Sequence, residues 1–211
     1  MSKHPPLTVS IGGFSTNKDK YSSLSMTSLF YDSTLCKNVD KVKKNHIKFD
    51  YYPGSASSTN VNFKVQCNFI EIANLEKQYH ICKSGDCFVV FVDLENKDSF
   101  DKCKDICEYI TTFCLDEREK KTHVIGIYTD EDKIIEEFNV DEGEIENKTL
   151  QKYLHDKNLV FEYNSFFRED DEDLITIFEN LIEDTINNQQ QLKQFKELIE
   201  KDQPSTSCRM F

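Results

Sequence analysis

Positive charge is in short supply. Across 211 residues, 26 lysines and arginines face 38 aspartates and glutamates, for a formal net charge of -12. That balance excludes nucleic acid as the default partner, because nothing here neutralises phosphates in bulk. It also argues against simple electrostatic adhesion to anionic lipid headgroups. Long apolar runs are missing: no stretch reaches the roughly 18–20 residues of a spanning helix. The start, Met1-Ser2-Lys3-His4-Pro5-Pro6, has no apolar core segment, so no secretory signal is expected. No internal repeat is present. The five histidines (His4, His46, His80, His123 and His155) lie far apart without a nucleophile or a carboxylate pattern, and read as surface or strand-end residues.

Cysteine is more plentiful, at eight. Most of the eight fall on expected strands or on the inner face of an expected helix. Without a secretory signal, they read as reduced cytosolic thiols serving as small hydrophobes. Cys103-x3-Cys107 has the spacing of half a metal site, but no second pair or histidine accompanies it. No metal is expected.

The length suits one domain with a tail. Its centre runs from Cys87 to Tyr128. Cys87-Phe88-Val89-Val90-Phe91-Val92 is an unbroken apolar run, the mark of a strand covered on both faces. A polar turn, Asp93 to Asp98, leads to Ser99 at an expected N-cap. Phe100, Cys103, Ile106, Cys107, Ile110 and Cys114 follow at helical spacing. After a charged loop, Val124-Ile125-Gly126-Ile127-Tyr128 reads as a second apolar strand. Strand, amphipathic helix and strand make a βαβ unit with parallel strands and a right-handed crossover.

On the N-terminal side, Leu7 to Ile11 reads as a strand that gives way to a loop at Gly12-Gly13. A short helix is expected around Leu24 to Phe30, and Asp32 to Asn45 reads as an exposed loop. Ile47 to Tyr52 and Val61 to Ile72 read as two strands flanking a Pro-Gly-Ser turn. In the second, Phe63, Val65, Cys67 and Phe69 share one face while Lys64, Gln66 and Asn68 share the other. That alternation fits an antiparallel partner near the sheet edge.

On the C-terminal side, the acidic segment Asp130 to Asn147 precedes a short helix near Thr149 and a last strand, Leu159 to Tyr163. Leu174, Ile177, Phe178, Leu181, Ile182 and Ile186 then predict an amphipathic helix behind an acidic start, interrupted at Gln189-Gln190-Gln191.

In this order of elements the chain resembles a Ras-superfamily small GTPase from about Leu7 to Ile186. The strongest local likeness is Asp86-Cys87-Phe88-Val89-Val90-Phe91-Val92-Asp93-Leu94-Glu95-Asn96-Lys97-Asp98-Ser99-Phe100. The resemblance implies an α/β fold of P-loop NTPase-like, Ras-type architecture. Its doubly wound sheet is mostly parallel with one antiparallel edge strand, and helices cover both faces. It also implies a GTPase-like domain over 1–186 and a tail over 187–211.

Family motifs are matched only in part. Against G-x-x-x-x-G-K-[S/T], the chain offers Gly12-Gly13-Phe14-Ser15-Thr16-Asn17-Lys18-Asp19, so Gly12 and Lys18 match while Asn17 and Asp19 do not. At the D-x-x-G positions stand Ile72-Ala73-Asn74-Leu75, which offer magnesium no ligand. The guanine-reading N-K-x-D appears as Thr129-Asp130-Glu131-Asp132, with only Asp132 kept. The S-A-K loop appears as Ser165-Phe166-Phe167, with only Ser165 kept.

Gly12, Lys18, Asp132 and Ser165 are thus the vestigial nucleotide-binding positions the resemblance implies, with no catalytic residue. The final Cys208-Arg209-Met210-Phe211 fits C-a-a-X prenylation at Cys208. No polybasic patch or second cysteine adjoins it, and one lipid chain alone gives reversible anchoring.

The expectation is a pseudo-GTPase without cofactor, at the cytosolic face of a membrane, binding regulators or effectors of signalling or vesicle traffic. The alternative is an active small GTPase binding and hydrolysing GTP, with GTP or GDP and Mg²⁺, through atypical motifs. A response-regulator receiver fits worse, because Gly12-Gly13 and Ala73-Asn74 stand where it needs acidic residues.

Overall fold

A strand whose both faces are apolar belongs in the middle of a sheet, and β5 (Cys87–Asp93) is buried at all seven positions. The computed structural model describes residues 8–17, 36–43, 46–52, 63–70, 84–114, 120–135, 153, 161–168, 176–177 and 179–190. Around β5 lie β1 (Thr8–Ser15), β2 (Cys36–Lys43), β3 (His46–Tyr51), β4 (Phe63–Ile70), β6 (Thr122–Tyr128) and β7 (Phe161–Arg168). They form one seven-stranded sheet in the order β2-β3-β4-β1-β5-β6-β7. β1 runs parallel to β4 and β5, β5 to β6, and β6 to β7, while β3 runs antiparallel to both β2 and β4. The fold is α/β, mostly parallel, with one reversed strand in its hairpin edge, compatible with a Rossmann-like architecture.

Period-two alternation sorts β5 between two cores. Cys87, Val89 and Phe91 join Ile11, Ile47, Phe49 and Val65 on one face. There α2, helical over residues 179–190 and also at 176–177, packs through Leu181, Ile182 and Ile186. On the other face, Phe88, Val90 and Val92 meet Phe14 and Ile70 under α1 (Ser99–Tyr109), which contributes Cys103, Ile106 and Cys107. Helices therefore cover opposite faces of the sheet. The alternation expected of β4 is present, with Phe63, Val65, Cys67 and Phe69 buried.

Several expectations need correction. The stretch expected as a loop from Asp32 to Asn45 contains β2, and the reversed strand β3 is flanked by it instead of forming the edge. Backbone pairing with β3 makes β2 a strand despite its polar sequence, and its register shifts twice. Asn38 sits at φ 53° there, a left-handed conformation that asparagine tolerates better than most residues.

β1 does not end at Gly12-Gly13 but runs on to Ser15. The two glycines make room for rings: a Cβ would meet Phe88 at 2.7 Å from position 12 and Phe69 at 2.7 Å from position 13. Helix α1 is capped by Asp98, without a side-chain cap bond, and not by Ser99. At its far end α1 passes into a π-turn, Ile110–Cys114, where Thr111 Oγ1 donates to the Cys107 carbonyl at 2.7 Å. Helix α2 continues through Gln189 and Gln190, and Gln189 Nε2 donates to Asp86 Oδ1 at 2.6 Å. β7 includes Ser165, Phe166 and Phe167, which pair with Ile125, Gly126 and Ile127. The short helix expected around 24–30, the segment 71–83 and the tail beyond 190 lie outside the described residues.

Candidate functional site

From β1 the chain moves out to the β2–β4 wing and then crosses back to β5, so neighbouring connections diverge at β1. In open α/β sheets the carboxyl ends of the strands beside such a point form the usual ligand crevice. Here that edge is built from Ser15, the last residue of β1, with Thr16 and Asn17 beyond it, from Asp93, the last residue of β5, with Leu94 and Glu95 beyond it, and from Thr129 and Asp130 after β6.

Thr16 is the hinge of the cluster. Its backbone N donates to the Phe91 carbonyl at 3.0 Å, carrying the β1–β5 ladder one step past the strand. Its hydroxyl accepts from the Asp93 backbone N at 2.9 Å and donates to Ser99 Oγ at 2.9 Å. The first residue of α1 is thereby pinned to the end of β1. Thr16 and Asp93 are each 4% exposed and Ser99 is 0% exposed, whereas Ser15, Asn17, Glu95 and Thr129 are half-buried.

The Asp93 carboxylate gathers further donors. Asn17 Nδ2 reaches Oδ2 at 2.8 Å, and the Glu95 backbone N reaches Oδ1 at 3.2 Å. Asn17 is itself braced by a reciprocal pair with Ser15: its backbone N donates to Ser15 Oγ at 3.0 Å, and Ser15 Oγ donates to its carbonyl at 2.7 Å. Beside it, Glu95 Oε1 accepts from the backbone N of Thr129 at 2.7 Å, from that of Asp130 at 2.9 Å, and from Thr129 Oγ1. Glu95 thus ties the loop after β6 to the turn before α1. Charge-assisted bonds of this kind are the stronger class.

The sequence-predicted positions are scattered with respect to this cluster. Gly12 lies inside β1 opposite Phe88, three residues before the strand ends, and its pairing places it in the sheet and not in a loop. Asp132 lies in an exposed 3-10 turn after β6 (Glu131–Lys133), where its backbone N donates to Asp130 Oδ1 at 3.2 Å. Ser165 is a register position within β7, opposite Ile125. Lys18 and Cys208 lie outside the described residues. Thr16, Asn17, Asp93, Glu95 and Ser99 are the site residues that motif reading passes over; the one signal for them is an aspartate closing an otherwise apolar run.

Four of the cysteines sit in the two cores. Cys67, Cys87, Cys103 and Cys107 are buried. Burial pushes the Cys87 thiol up to about 12. The hydrogen bond with Cys107, and then burial, push Cys103 up. The two helix sulfurs lie 4.0 Å apart. Protonated, enclosed thiols are poor nucleophiles. Among the described residues, no three His, Cys, Asp or Glu side chains converge as a metal site, and no helix is long and apolar enough to cross a membrane.

No protein-family model matches the chain, and no curated protein matches it.

Proposed function

We propose that the chain is a Ras-type domain of the P-loop NTPase-like class that has lost its nucleotide chemistry. It works by binding regulator or effector proteins in signalling or membrane traffic. A prenyl group on Cys208 holds it reversibly at the cytosolic face of a membrane.

One observation carries the reading: the way β1 ends. A phosphate cradle needs a loop of open backbone N–H groups with room for the anion. At the matching stretch Gly12 to Ser15 are strand, filled over by Phe88 and Phe69. Thr16 and Asn17 then turn their polar groups inward to Phe91, Ser99 and Asp93. The described residues of this edge do not suit a nucleotide with magnesium. The buried Asp93 carboxylate repels phosphate, and Glu95 already binds three donors of the loop where a guanine would be read. Further support comes from the mostly parallel sheet with one reversed strand and helices on both faces.

Titration of the purified chain with GTP and GDP, with and without Mg²⁺, tests this reading. No saturable binding is expected. Micromolar or tighter GTP binding would defeat the pseudo-GTPase reading. Membrane fractionation of Cys208→Ser against the parent tests the anchor separately, and an unchanged distribution would sink it.

A further inference from the structure

We infer that Thr129 is a phosphorylation site for an acid-directed Ser/Thr protein kinase, and that its phosphoryl ester cuts the tie between the loop after β6 and the turn before α1. The switch needs no nucleotide on this chain and is independent of whether the chain binds one.

Sequence picks out the position. Of all the serines and threonines in the chain, Thr129 alone is followed by three carboxylates, Asp130, Glu131 and Asp132. A kinase with a basic substrate groove reads negative charge on the C-terminal side of the hydroxyl, so charge complementarity favours this one. Kinases that read basic residues before the hydroxyl, or a proline after it, find neither: Val124 to Tyr128 carry no positive charge, and the chain contains no Ser-Pro or Thr-Pro step. The fold places the hydroxyl where a kinase can reach it. Thr129 and Asp130 are half-buried just past the end of β6, and Asp132 and Lys133 are exposed in the short turn that follows. Presenting such a segment costs little core packing.

Modification there has a structural effect. Thr129 Oγ1 donates to Glu95 Oε1, which also accepts from the backbone N of Thr129 at 2.7 Å and of Asp130 at 2.9 Å. In the transfer, Oγ1 attacks the γ-phosphorus of ATP held by the kinase. The Oγ1–P bond forms as the bond from that phosphorus to the departing ADP oxygen breaks, and the hydroxyl proton passes to the kinase's base. Thr129 then has no hydroxyl proton to donate, and a group of about -1.5 to -2 charge stands beside the carboxylates of Glu95 and Asp130. Like charges at hydrogen-bond distance drive Glu95 off the loop. Lys133, paired with Asp130 at 3.2 Å, is the cation of the same turn that the phosphate can recruit. The backbone bonds from Leu94 N to the Ile127 carbonyl and from Ile135 N to the Leu94 carbonyl do not involve Glu95's side chain and persist, so the change is local.

The experiment incubates the purified full chain with an acid-directed protein kinase and Mg·ATP, with an acidic reference peptide as the activity control. Phosphate is located by tandem mass spectrometry, and backbone amides are followed by hydrogen exchange. One phosphate on Thr129 is expected. Thr129→Val should take none there, with its folding checked by circular dichroism. Asp132→Lys, a change at an exposed side chain, should slow the transfer at least about tenfold. In the phosphorylated chain the amides of Thr129 and Asp130 should exchange at least about tenfold faster, while those of Leu94 and Ile135 hold their rates. The inference falls if the reference peptide is phosphorylated and Thr129 is not, or if the phosphate goes to other residues instead. It falls equally if Asp132→Lys is modified as fast as the parent, or if the amides of Thr129 and Asp130 keep their protection once Thr129 carries phosphate.

Discussion

β5 and β3 lie in the same sheet, three places apart, and are held by different physics. β5 is apolar on both faces from Cys87 to Val92, with a polar anchor only at its last residue, Asp93: Phe88, Val90 and Val92 press toward α1 while Cys87, Val89 and Phe91 press toward α2. β3 is apolar on one face only, through Ile47, Phe49 and Tyr51. Its other face carries Asp50, which takes Asn38 Nδ2 from β2 at 2.9 Å and the Lys64 ammonium from β4. Burial alone would raise the Asp50 pKa. The hydrogen bonds from Lys64 and Asn38, with the positive charges of Lys64 and Lys48, outweigh it and hold the carboxyl below its ordinary value. The lesson is that shape fit on both faces secures the centre of this sheet, whereas the wing combines one apolar face with an ion pair on the other.

The sharpest way to break that contrast is at the centre. Phe88→Ala removes a fully buried ring and is expected to cost about 3–5 kcal/mol in urea unfolding. Gly12→Ala, which drives a Cβ against the same ring, should cost about 1–3 kcal/mol. Shape fit also predicts coupling. Gly12→Ala combined with Phe88→Leu should be less destabilising than the sum of the single changes, and strict additivity would refute the ring-over-glycine account.

At the wing, Asp50→Asn should cost about 1 kcal/mol at neutral pH, a modest figure because Lys64 is a third exposed. A lowered native pKa gives stability that is present above the unfolded-state value and lost as pH falls through the native one. The parent should therefore lose stability with acid faster than Asp50→Asn below about pH 4, the ordinary carboxylate range. Parallel acid limbs for the two proteins would contradict the shift. The smallest effect is expected at the α1 cap: Asp98 makes no side-chain cap bond, so Asp98→Ala should fall within about 0.5 kcal/mol of the parent.

What the sequence revealed follows the same division. Strand β5, the face of α1 and the alternation of β4 were legible because burial writes a period into side-chain polarity. β2 was not, since its strand character comes from backbone pairing with β3 and its side chains are those of a polar edge. The end of β1 was misjudged because glycine signals a loop by default, and only the rings packed against positions 12 and 13 show why it stands in a strand. Ser99 was placed at the right turn but given the wrong task, since its hydroxyl accepts from Thr16, 83 residues earlier in the chain. The crevice cluster left no motif, because Thr16, Asn17, Asp93 and Glu95 come from separate segments and meet only after the sheet has formed.

The rings seated over Gly12 and Gly13 carry a consequence for descent. A side chain at either position forces the ring opposite it to shift and is best accommodated by a smaller partner at 88 or 69. Substitutions at 12 with 88, and at 13 with 69, should therefore travel together through any lineage of this chain, as two independent covarying couples on opposite sides of one strand.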